Sequence, residues 1–337
     1  MVSNFRRAVL ALSVCVGGAA RAQDFDAALV EAARKEGRVV WYTAFASPRS
    51  HETVMRSFED KYGIKVELLN VRGSELEERV RTEQAAGRFI GDIVQTSQAT
   101  AARMLDIGMI QPHGGIPNAA HAIDGQKASA ISVGSIINAF GITVNAGLVP
   151  VADEPKSWRD LLSPRWKGKI LSDDMRAAGG GFAMFSATME GPGLGEAFHR
   201  ALAKQDIVFT RDVGQGERRV ARGEYAIWIP QHSGNVSALQ GLPIRIIAPS
   251  EGVAYTRLDL AMLKKAPHAN AARLFMNHYL NDDIQLAIIS FGGIPVTRGV
   301  NEKLAGSARV LENARLMGTT RAETQERDFK LANEIYK

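Results

Sequence analysis

Residues 31–43, EAARKEGRVVWYT, join the end of an amphipathic segment to an apolar run through one glycine. The apolar periodicity of residues 27–35 predicts a helix, and Gly37 stands where a helix C-cap favours glycine. Residues 38–42 are rich in β-branched and aromatic side chains and predict a buried strand. A helix that leads directly into a buried strand is typical of a sheet covered by helices, which is an α/β fold.

The same alternation continues along the chain. Val54, Phe58 and Tyr62 recur at intervals of four residues and predict a helix, and residues 64–69 predict the second strand. Residues 91–95 predict a third strand, and a helix follows it. A second set of strands is predicted at 136–144, 169–171, 207–209, 226–229 and 244–247. This rhythm predicts an α/β fold with parallel strands in its sheets.

Two helix boundaries have explicit sequence signals. Residues 74–86 predict a charged helix in which Ser74 is the N-cap and Glu77, three residues later, completes a capping box. The amphipathic residues 319–336 predict a packing helix at the C-terminus.

The composition is that of an ordinary globular chain. Its 337 residues are 45% hydrophobic and 23% charged, which excludes wholesale disorder and favours two domains. The net charge is +5, and Arg6, Arg7 and Arg21 supply three of those charges. Because the rest of the chain has no strong basic field, we expect no nucleic-acid partner.

Residues 1–22 have the pattern of an export signal. Arg6 and Arg7 form a basic start, residues 8–20 are apolar, and residues 20–22, Ala-Arg-Ala, fit a cleavage site. The alternatives are a lipoprotein signal cleaved before Cys15 and a first buried helix. Cleavage after residue 22 removes the single cysteine, which excludes disulfides and thiol chemistry from the mature chain. We therefore expect a periplasmic protein.

Candidate ligand contacts follow from the topology. Ligands of such sheets bind outside the carboxyl ends of the strands, close to helix N-termini. Thr43, Phe45 and Ser47 follow the first strand, and Thr96 and Ser97 follow the third. Their hydroxyls suit ligand oxygens, although Ser47 equally fits the N-cap of the next helix. Thr96 and Ser97 likewise fit either a ligand contact or the capping of the helix that follows them.

A glycine-rich turn is the strongest candidate in the second set. Residues 176–181, RAAGGG, precede a predicted helix at 182–189. Gly179 and Gly180 would leave backbone N–H groups free at the helix N-terminus, which favours an anion. Arg176 would add a bidentate contact to a carboxylate or phosphate. The alternative is a tight turn with an exposed arginine.

Further candidates follow later strands of this set. Trp228 offers an aromatic wall for an organic ligand, and Gln231 and His232 come directly after it. Gln215 lies in a glycine-flanked turn, and Arg257 offers a second anion contact. The alternatives are core packing for Trp228, a plain hydrogen-bonded or surface position for His232 and Gln215, and an ion pair with the aspartate two residues on for Arg257.

Catalytic and cofactor motifs are missing from the sequence. His51-Glu52 lacks the second histidine of a zinc protease, and the glycines of residues 191–195 have the wrong spacing for a dinucleotide loop. Neither a nucleophile elbow nor a P-loop occurs. The seven histidines are scattered without metal-ligand spacing. We therefore expect no enzyme activity, no catalytic residue, no metal site and no cofactor.

Several segments, in order along nearly the whole mature chain, resemble the bacterial extracellular solute-binding proteins that feed ABC importers. They are EAARKEGRVVWYT at 31–43, FEDKYGIKVE at 58–67, WRDLLSPRWKGKI at 158–170, ARGEYAI at 221–227, LKKAPHANAARLF at 263–275 and, after Gln285, GGIPV at 292–296. The branch that they resemble includes ferric-iron, phosphonate, sugar-phosphate and thiamine binders.

This resemblance implies a two-lobed periplasmic-binding-protein fold of the second type. Each lobe would have a mixed sheet flanked by helices, and crossing hinge strands would join the lobes around a ligand. We expect a first lobe at 23–135 plus 248–300, a second lobe at 136–247 and a C-terminal helical segment at 301–337. The resemblance also implies an ABC permease and an ATPase as partners. Relatives of this type place a Ser/Gly-rich ligand loop at the point of residues 179–181.

The ligand class follows from a departure from the family pattern. Ferric binders carry adjacent tyrosines after a G-E-x-x-A segment, whereas residues 223–232, GEYAIWIPQH, have no tyrosine pair. Ferric iron prefers phenolate and carboxylate oxygens. We therefore expect a monomer that binds a small anionic organic solute of carboxylate, phosphate or phosphonate type. Ferric iron is the alternative ligand, a secreted enzyme on a similar fold is the alternative of another class, and service to a sensor instead of a transporter stays open.

Overall fold

Strands and helices alternate through the part of the chain that the computed structural model describes, which is residues 25–45, 48–123, 129–300 and 310–337. The strands are β1 (Arg38–Thr43), β2 (Lys65–Asn70), β3 (Ile93–Ser97), β4 (Ile110–Gln111), β5 (Ser132–Asn145), β6 (Ile170–Asp173), β7 (Val208–Thr210), β8 (Ile227–His232), β9 (Ile244–Ile247), β10 (Val253–Leu263) and β11 (Leu316–Gly318). The predicted α/β class is confirmed. The predicted export signal at residues 1–22 lies outside the described residues.

Helices connect these strands. They are α1 (Ala27–Glu36), α2 (Pro48–Tyr62), α3 (Gly73–Ala85), α4 (Gln98–Asp106), α5 (Gly180–Met189), α6 (Glu196–Leu202), α7 (Val213–Ala221), α8 (Ala269–Tyr279), α9 (Asp282–Ser290) and α10 (Ala322–Ile335). Short 3-10 helices lie at Pro117–His121, Val151–Asp153, Arg159–Leu162, Pro164–Trp166, Ala203–Gln205 and Ser233–Leu239. Among the described residues, none of the helices has both the length and the apolar character needed to cross a membrane.

The strands form one sheet in the order β2-β1-β3-β10-β5-β8-β6-β7. The first half of the sheet, β2, β1 and β3, is parallel, and so is the second half, β8, β6 and β7. The long strands β5 and β10 lie between the halves and pair antiparallel with each other and with their neighbours β8 and β3. The carboxyl ends of the parallel strands therefore meet loops near the centre of the molecule.

Helices cover both faces of the sheet, which explains why β1, β5, β6 and β8 are buried along nearly their whole length. On one face of the first half, Trp41, Phe58 and Phe275 belong to one large core cluster. On the other face, Tyr42 packs in a smaller cluster. The second half has its main cluster around Trp158 and the helices α5, α6 and α10.

The helix boundaries agree only partly with the sequence signals. Gly37 ends α1 in the left-handed conformation with φ 74°, as predicted. The predicted capping box of α3 is wrong, because the helix begins at Gly73 with Arg72 at the N-cap and no side-chain cap. The Glu77 carboxylate instead accepts a hydrogen bond from Arg103 Nε at 3.1 Å. The Glu77 side chain therefore pairs with Arg103 of α4 and not with the backbone N–H group that a capping box would give it.

The C-terminal segment bridges the two halves of the sheet. It contains the strand β11, which pairs with β10, before the helix α10. The helix packs against both α5 and α4. The Phe329 ring stacks on Phe182 with centroids 3.6 Å apart. The expected helical segment therefore includes a strand, and its residues 301–309 lie outside the described part.

Candidate functional site

A cavity of about 190 Å³ lies where the two halves of the sheet face each other, and we call it the cleft. Its walls come from the loops after β1, β2, β3 and β6, from the middle of β5 and β10, and from the end of β8. The lining residues are Ala44, Phe45, Arg72, Gly73, Thr96, Ser97, Thr100, Asn138, Phe140, Asp173, Ala178, Gly179, Gly180, Phe182, Ala183, Val213, His232, Gly234, Asn235, Thr256, Leu258, Thr320 and Gln325. The cleft is thus at the carboxyl ends of the parallel strands, where α/β sheets bind ligands.

Four helices begin at the wall of the cleft. Gly73, Gly180 and Val213 are the first residues of α3, α5 and α7, and Ser97 is the N-cap of α4. The first N–H groups of a helix have no intrahelical acceptor, and the helix dipole makes this end positive. Four such ends around one cavity create a site that favours negative charge.

Among the described lining residues, Arg72 is the one arginine or lysine side chain of the cleft. It comes from the loop between β2 and α3 and reaches the second half of the sheet. Its Nη1 donates to the Arg211 carbonyl at 2.7 Å, and its Nη2 donates to the Ala178 carbonyl at 3.4 Å. Its Nη2 also lies 3.5 Å from Asp173 Oδ1, and its side chain is 29% exposed. Arg72 therefore spans the cleft and keeps part of its guanidinium open to it.

Asp173 holds the glycine turn at the end of β6. Its Oδ2 accepts a hydrogen bond from Gly181 N at 2.8 Å, and its Oδ1 accepts one from Asp174 N at 3.0 Å. With Arg72 beside it, this buried carboxylate has both oxygens occupied. It therefore caps the start of α5 through the Gly181 N–H group.

Aromatic rings and hydroxyls make up much of the remaining wall. Phe45, Phe140 and Phe182 are buried and present apolar surface. The Thr100 N–H donates to Ser97 Oγ at 3.1 Å, so the Ser97 hydroxyl caps α4 as well as lining the cleft. An apolar cavity with a few convergent polar groups is typical of a small-molecule site.

Two titratable side chains lie at the end of β8 and behind it. Burial lowers the pKa of His232, the charge of Asp173 opposes this effect and the charge of Arg72 adds to it. Burial raises the pKa of Glu217 to about 7. The Glu217 carboxylate accepts hydrogen bonds from Gln231 Nε2 at 2.9 Å and Asn235 Nδ2 at 3.0 Å. It therefore supports Asn235, which lines the cleft.

Six of the predicted ligand residues lie on the wall of the cleft. They are Phe45, Thr96, Ser97, Gly179, Gly180 and His232. Their presence there supports the rule that loops after parallel strands collect ligand contacts. Ser47 lies outside the described residues.

Arg176 does not line the cleft, which corrects the expectation of a ligand contact. Its Nε donates to Asp174 Oδ1 at 2.8 Å, and its Nη1 donates to the Tyr336 carbonyl at 3.0 Å. Its guanidinium also lies 4.9 Å from the centre of the Phe209 ring. These partners hold the side chain in the structure of the second half, away from the lining residues.

Arg257 forms an ion pair, which was the structural alternative. Its Nε and Nη2 bind the two oxygens of Asp259 at 2.6 and 2.7 Å, and the arginine is 5% exposed. Asp259 also accepts a hydrogen bond from Ser132 Oγ at 2.7 Å. The residue is therefore part of the packing between β10 and β5 and does not line the cleft.

The remaining candidates also lie off the lining. Trp228 is buried in a cluster with Leu171 and Val220, and Gln215 is exposed in the first turn of α7. Gln231 is fully buried behind the wall, bound to Thr143 Oγ1 at 2.6 Å. Thr43 donates from its buried Oγ1 to Gln95 Oε1 at 2.8 Å. These contacts orient the loops and strand ends that do face the cleft.

Several lining residues were missed by sequence reasoning. The same rule that selected the loops after the first and third strands applies to β2, and it would have selected Arg72 and Gly73. Asn138 and Thr256 lie in the middle of long strands, where no local signal separates a cleft residue from a core residue. Gln325 comes from the C-terminal helix, far along the chain.

The arrangement of histidine and acidic side chains bears on whether the described residues can bind a metal ion. Among the described residues, no group of three or more His, Cys, Asp or Glu side chains is arranged to hold a metal ion. Within the same part of the chain, Asp173 is the one carboxylate that lines the cleft.

Comparison with known proteins finds a family model that matches most of this chain. Residues 53–313 match the model of a family described as bacterial extracellular solute-binding protein. A protein of Haemophilus influenzae, described as uncharacterized, is 26% identical over 298 residues, which are 82% of this chain and 79% of that protein.

Solved structures with the same fold include two with different ligands. The periplasmic binding protein AfuA from Actinobacillus pleuropneumoniae, with exogenous fructose-6-phosphate bound, has a TM-score of 0.71 and 20% identity over 89% of this chain and 98% of that one. Iron-bound HitA from Pseudomonas aeruginosa has a TM-score of 0.72 and 19% identity over 88% and 99%. This likeness confirms the predicted periplasmic-binding-protein fold of the second type.

Proposed function

Because this chain belongs to the family of bacterial extracellular solute-binding proteins, we propose that it captures a small organic anion in the cleft and delivers it to a membrane permease. The anionic group is a carboxylate, a phosphate or a phosphonate. We place the protein in the periplasm as a monomer that serves an ABC permease and its ATPase.

The convergence of four helix N-termini on the cleft beside Arg72 carries this proposal. Each helix end offers backbone N–H groups and a positive dipole end, and the arginine adds a full charge with a fork of donors. Asp173, the acid at this wall, has its oxygens occupied by backbone N–H groups and Arg72. The local field therefore favours a negatively charged ligand.

In the proposed capture of a ligand, the two halves of the sheet act as the two lobes of the protein. We take the first lobe as residues 23–135 with 248–300 and the second as residues 136–247, with β5 and β10 crossing between them. A ligand that touches both walls stabilises the closed form, which the permease then recognises. Arg72 is central to closure because it comes from the first lobe and hydrogen-bonds carbonyls of the second.

We infer that the cleft binds its ligand and performs no reaction on it. Asp173 is committed to capping α5, and Glu217 lies behind the wall with amide donors on its carboxylate. His232 has a pKa lowered by burial and has no nucleophile among its hydrogen-bond partners in the described residues. Binding groups without an activated nucleophile favour a receptor over an enzyme.

AfuA, which was solved with a sugar phosphate, supports an organic anion, and HitA, which was solved with iron, represents the alternative. The described wall of the cleft offers a single carboxylate and no phenol to a ferric ion. Hard oxygen donors are the ligands that ferric iron prefers. The organic anion is therefore the better match to these residues.

Native mass spectrometry of the chain, expressed in full and purified from the periplasm, tests the proposal. The denatured mass reports whether cleavage follows residue 22, and the native mass reports a retained ligand. A thermal-shift panel then compares phosphate esters, phosphonates, carboxylates, spermidine and ferric citrate. A matching anion at ~100 times its Kd should stabilise the protein by about 2.7 kcal/mol. Stabilisation by spermidine or by ferric ion, with no response to any organic anion, would contradict the proposal.

A further inference from the structure

Two buried polar atoms of the cleft wall have no hydrogen-bond partner among the described residues. They are Asn138 Oδ1 and His232 Nε2. A buried polar atom without a partner costs about 1–3 kcal/mol, so native proteins rarely keep one without a use. Both residues line the same cavity, which makes a bound ligand the natural partner for both.

Sheet register places the two residues on one face of the sheet, which we call the floor of the cleft. Asn138 of β5 lies opposite Thr256 of β10, and Phe140, two residues further along β5, lies opposite His232 of β8. Alternate residues of a strand point to the same face. The imidazole packs edge-on against the Phe140 ring at 4.8 Å between centroids. The two unpartnered atoms therefore belong to a single surface built on three adjacent strands.

Two glycines lie beside this floor, and Gly180 packs directly against the imidazole of His232. A methyl group at Gly180 would lie 2.2 Å from His232 Nε2, and a methyl group at Gly234 would lie 3.8 Å from Asn138 Oδ1. Gly180 also begins α5, one of the four helix ends of the cleft. The anion-favouring end and the unpartnered imidazole are thus close enough to serve different groups of one small molecule.

The chemistry of these atoms selects the group that they bind. The Asn138 oxygen only accepts hydrogen bonds, whereas the imidazole nitrogen accepts or donates according to its tautomer. A hydroxyl group satisfies both, because it donates and accepts. An ammonium group is disfavoured because Arg72 and the helix N-termini surround the cavity with positive charge, and Asp173, the acid that lines the described wall, already binds two backbone N–H groups and lies beside Arg72.

We infer that the ligand is a hydroxylated anion whose charge is held by Arg72 and the helix N-termini and whose hydroxyl groups are bound by Asn138 and His232. The buried rings of Phe45, Phe140 and Phe182 supply apolar contact for its carbon skeleton. This inference rests on the proposed function and narrows it from organic anions in general to hydroxylated ones.

Isothermal titration with matched pairs of anions tests the inference. Glycerol 3-phosphate is compared with propyl phosphate, and gluconate with hexanoate, so that only hydroxyls differ within a pair. A site built to hydrogen-bond a hydroxyl rejects an analogue that lacks it, because its own polar groups then stay unpaired. We expect the hydroxylated member of at least one pair to bind ten-fold or more tightly than its analogue. The same preference should separate glycerol 3-phosphate from 3-aminopropyl phosphate.

The outcomes separate this inference from the proposed function. Equal binding of the two members within both pairs would leave the anion receptor intact and overturn the hydroxyl contacts. Stronger binding of 3-aminopropyl phosphate would overturn them in favour of an ammonium ligand. If no anion of either pair binds at millimolar concentration, the proposed function fails together with the inference.

Variants assign the preference to the two residues. Asn138→Ala and His232→Ala should reduce the preference within the pair to less than three-fold, with the hydroxylated member losing most of its affinity. Asn333→Ala removes the same side chain from an exposed site on α10 and should leave the preference unchanged. An unchanged preference in both cleft variants would overturn the assignment. If a variant does not fold, the matched pairs on the wild-type chain still decide the ligand class.

Discussion

Arg72 and Arg176 are both close to the glycine turn at the start of α5, but they have different partners. Arg176 binds the Asp174 carboxylate and the Tyr336 carbonyl within its own half of the molecule. The same pairing holds the pKa of Asp174 below its usual range. Arg72 binds two backbone carbonyls across the cleft and lines the cavity. Partner geometry, which the sequence does not show, decides which arginine faces a ligand.

Removing these side chains one at a time tests the difference. Arg72→Ala should weaken binding of a phosphate or carboxylate probe by about 10–100-fold, because a charge-assisted hydrogen bond is worth about 1.5–3 kcal/mol. Arg176→Ala should change the affinity less than three-fold and lower the melting temperature, because it removes the ion pair with Asp174. Isothermal titration of both variants provides the measurement. A larger loss in Arg176→Ala than in Arg72→Ala would reverse the assignment.

Glu217 is a buried carboxyl group whose ionisation is linked to folding. Burial raises its pKa from 4.5 to about 7, while Asn235, Gln231 and the charge of Arg218 act in the opposite direction. The folded protein therefore binds this proton more tightly than the unfolded chain does. Its contribution to stability is fully present below pH 4.5 and is lost as the pH rises to about 7.

Glu217→Gln should remove this pH dependence. Relative to the variant, the wild type should lose stability between pH 5 and pH 8, by on the order of 3 kcal/mol at most. Urea unfolding of both proteins at several pH values gives the difference in the free energy of unfolding. Glu323→Gln, at an exposed position of α10, serves as the control and should follow the wild type. Parallel pH profiles for wild type and Glu217→Gln would contradict the prediction.

At the scale of the element, the backbone at the start of α5 lies very close to Asp173 of β6 and to His232 of β8. A Cβ at Gly181 would lie 2.5 Å from the Asp173 carbonyl oxygen, and one at Gly180 would meet the imidazole of His232. The three glycines were predicted to form a turn before the helix, but the second and third form its first turn. They are required because the helix end must sit against both the strand β6 and the floor of the cleft.

Gly180→Ala should therefore damage the site more than the fold. The added methyl group must displace His232, and overpacking of this kind costs about 1–3 kcal/mol. We expect a loss of anion affinity of ten-fold or more in isothermal titration, together with a lower melting temperature. Gly299→Ala is the matched control, because no neighbouring atom of the described residues lies within 4 Å of its added methyl group. Equal affinities for the two variants would show that the cleft tolerates the methyl group.

At the scale of the whole molecule, three connections join the halves of the sheet. The strands β5 and β10 lie between the halves, Arg72 reaches across the cleft, and α10 packs on both α4 and α5. The C-terminal segment also completes the wall with Thr320 and Gln325, which lie beyond the residues that match the family model. The proposed closure would therefore involve the end of the chain as well as the crossing strands.

Small-angle X-ray scattering tests the role of Arg72 in closure. A compact chain of this length has a radius of gyration of about 20 Å, and an open two-lobed form has a larger one. Arg72→Ala should increase the radius of gyration of the ligand-free protein, because it removes the hydrogen bonds between the halves. An anion that binds the wild type should decrease it. Identical scattering of wild type and variant, with and without the anion, would exclude this role.

The sequence predicted elements well and side-chain partners poorly. Periodicity located α1, its glycine cap and β1, because these depend on residues within a few positions of each other. The rule about strand ends also found Phe45, Thr96 and Ser97. It did not show that the Thr43 hydroxyl binds Gln95, and the glycine turn that selected Arg176 did not show that its guanidinium binds Asp174.

The sequence by itself determined the α/β class, most of the alternating strands and helices, and the loops after β1, β3 and β6 that line the cleft. These properties follow from local apolar patterns and from segments shared with a family. The tertiary structure alone decided that Arg72, Asn138, His232 and Gln325 share one cavity. Those residues lie on elements far apart in the chain, and only the sheet order and the packing of α10 bring them together. A ligand site made of such distant residues depends on distances in space, which no local pattern encodes.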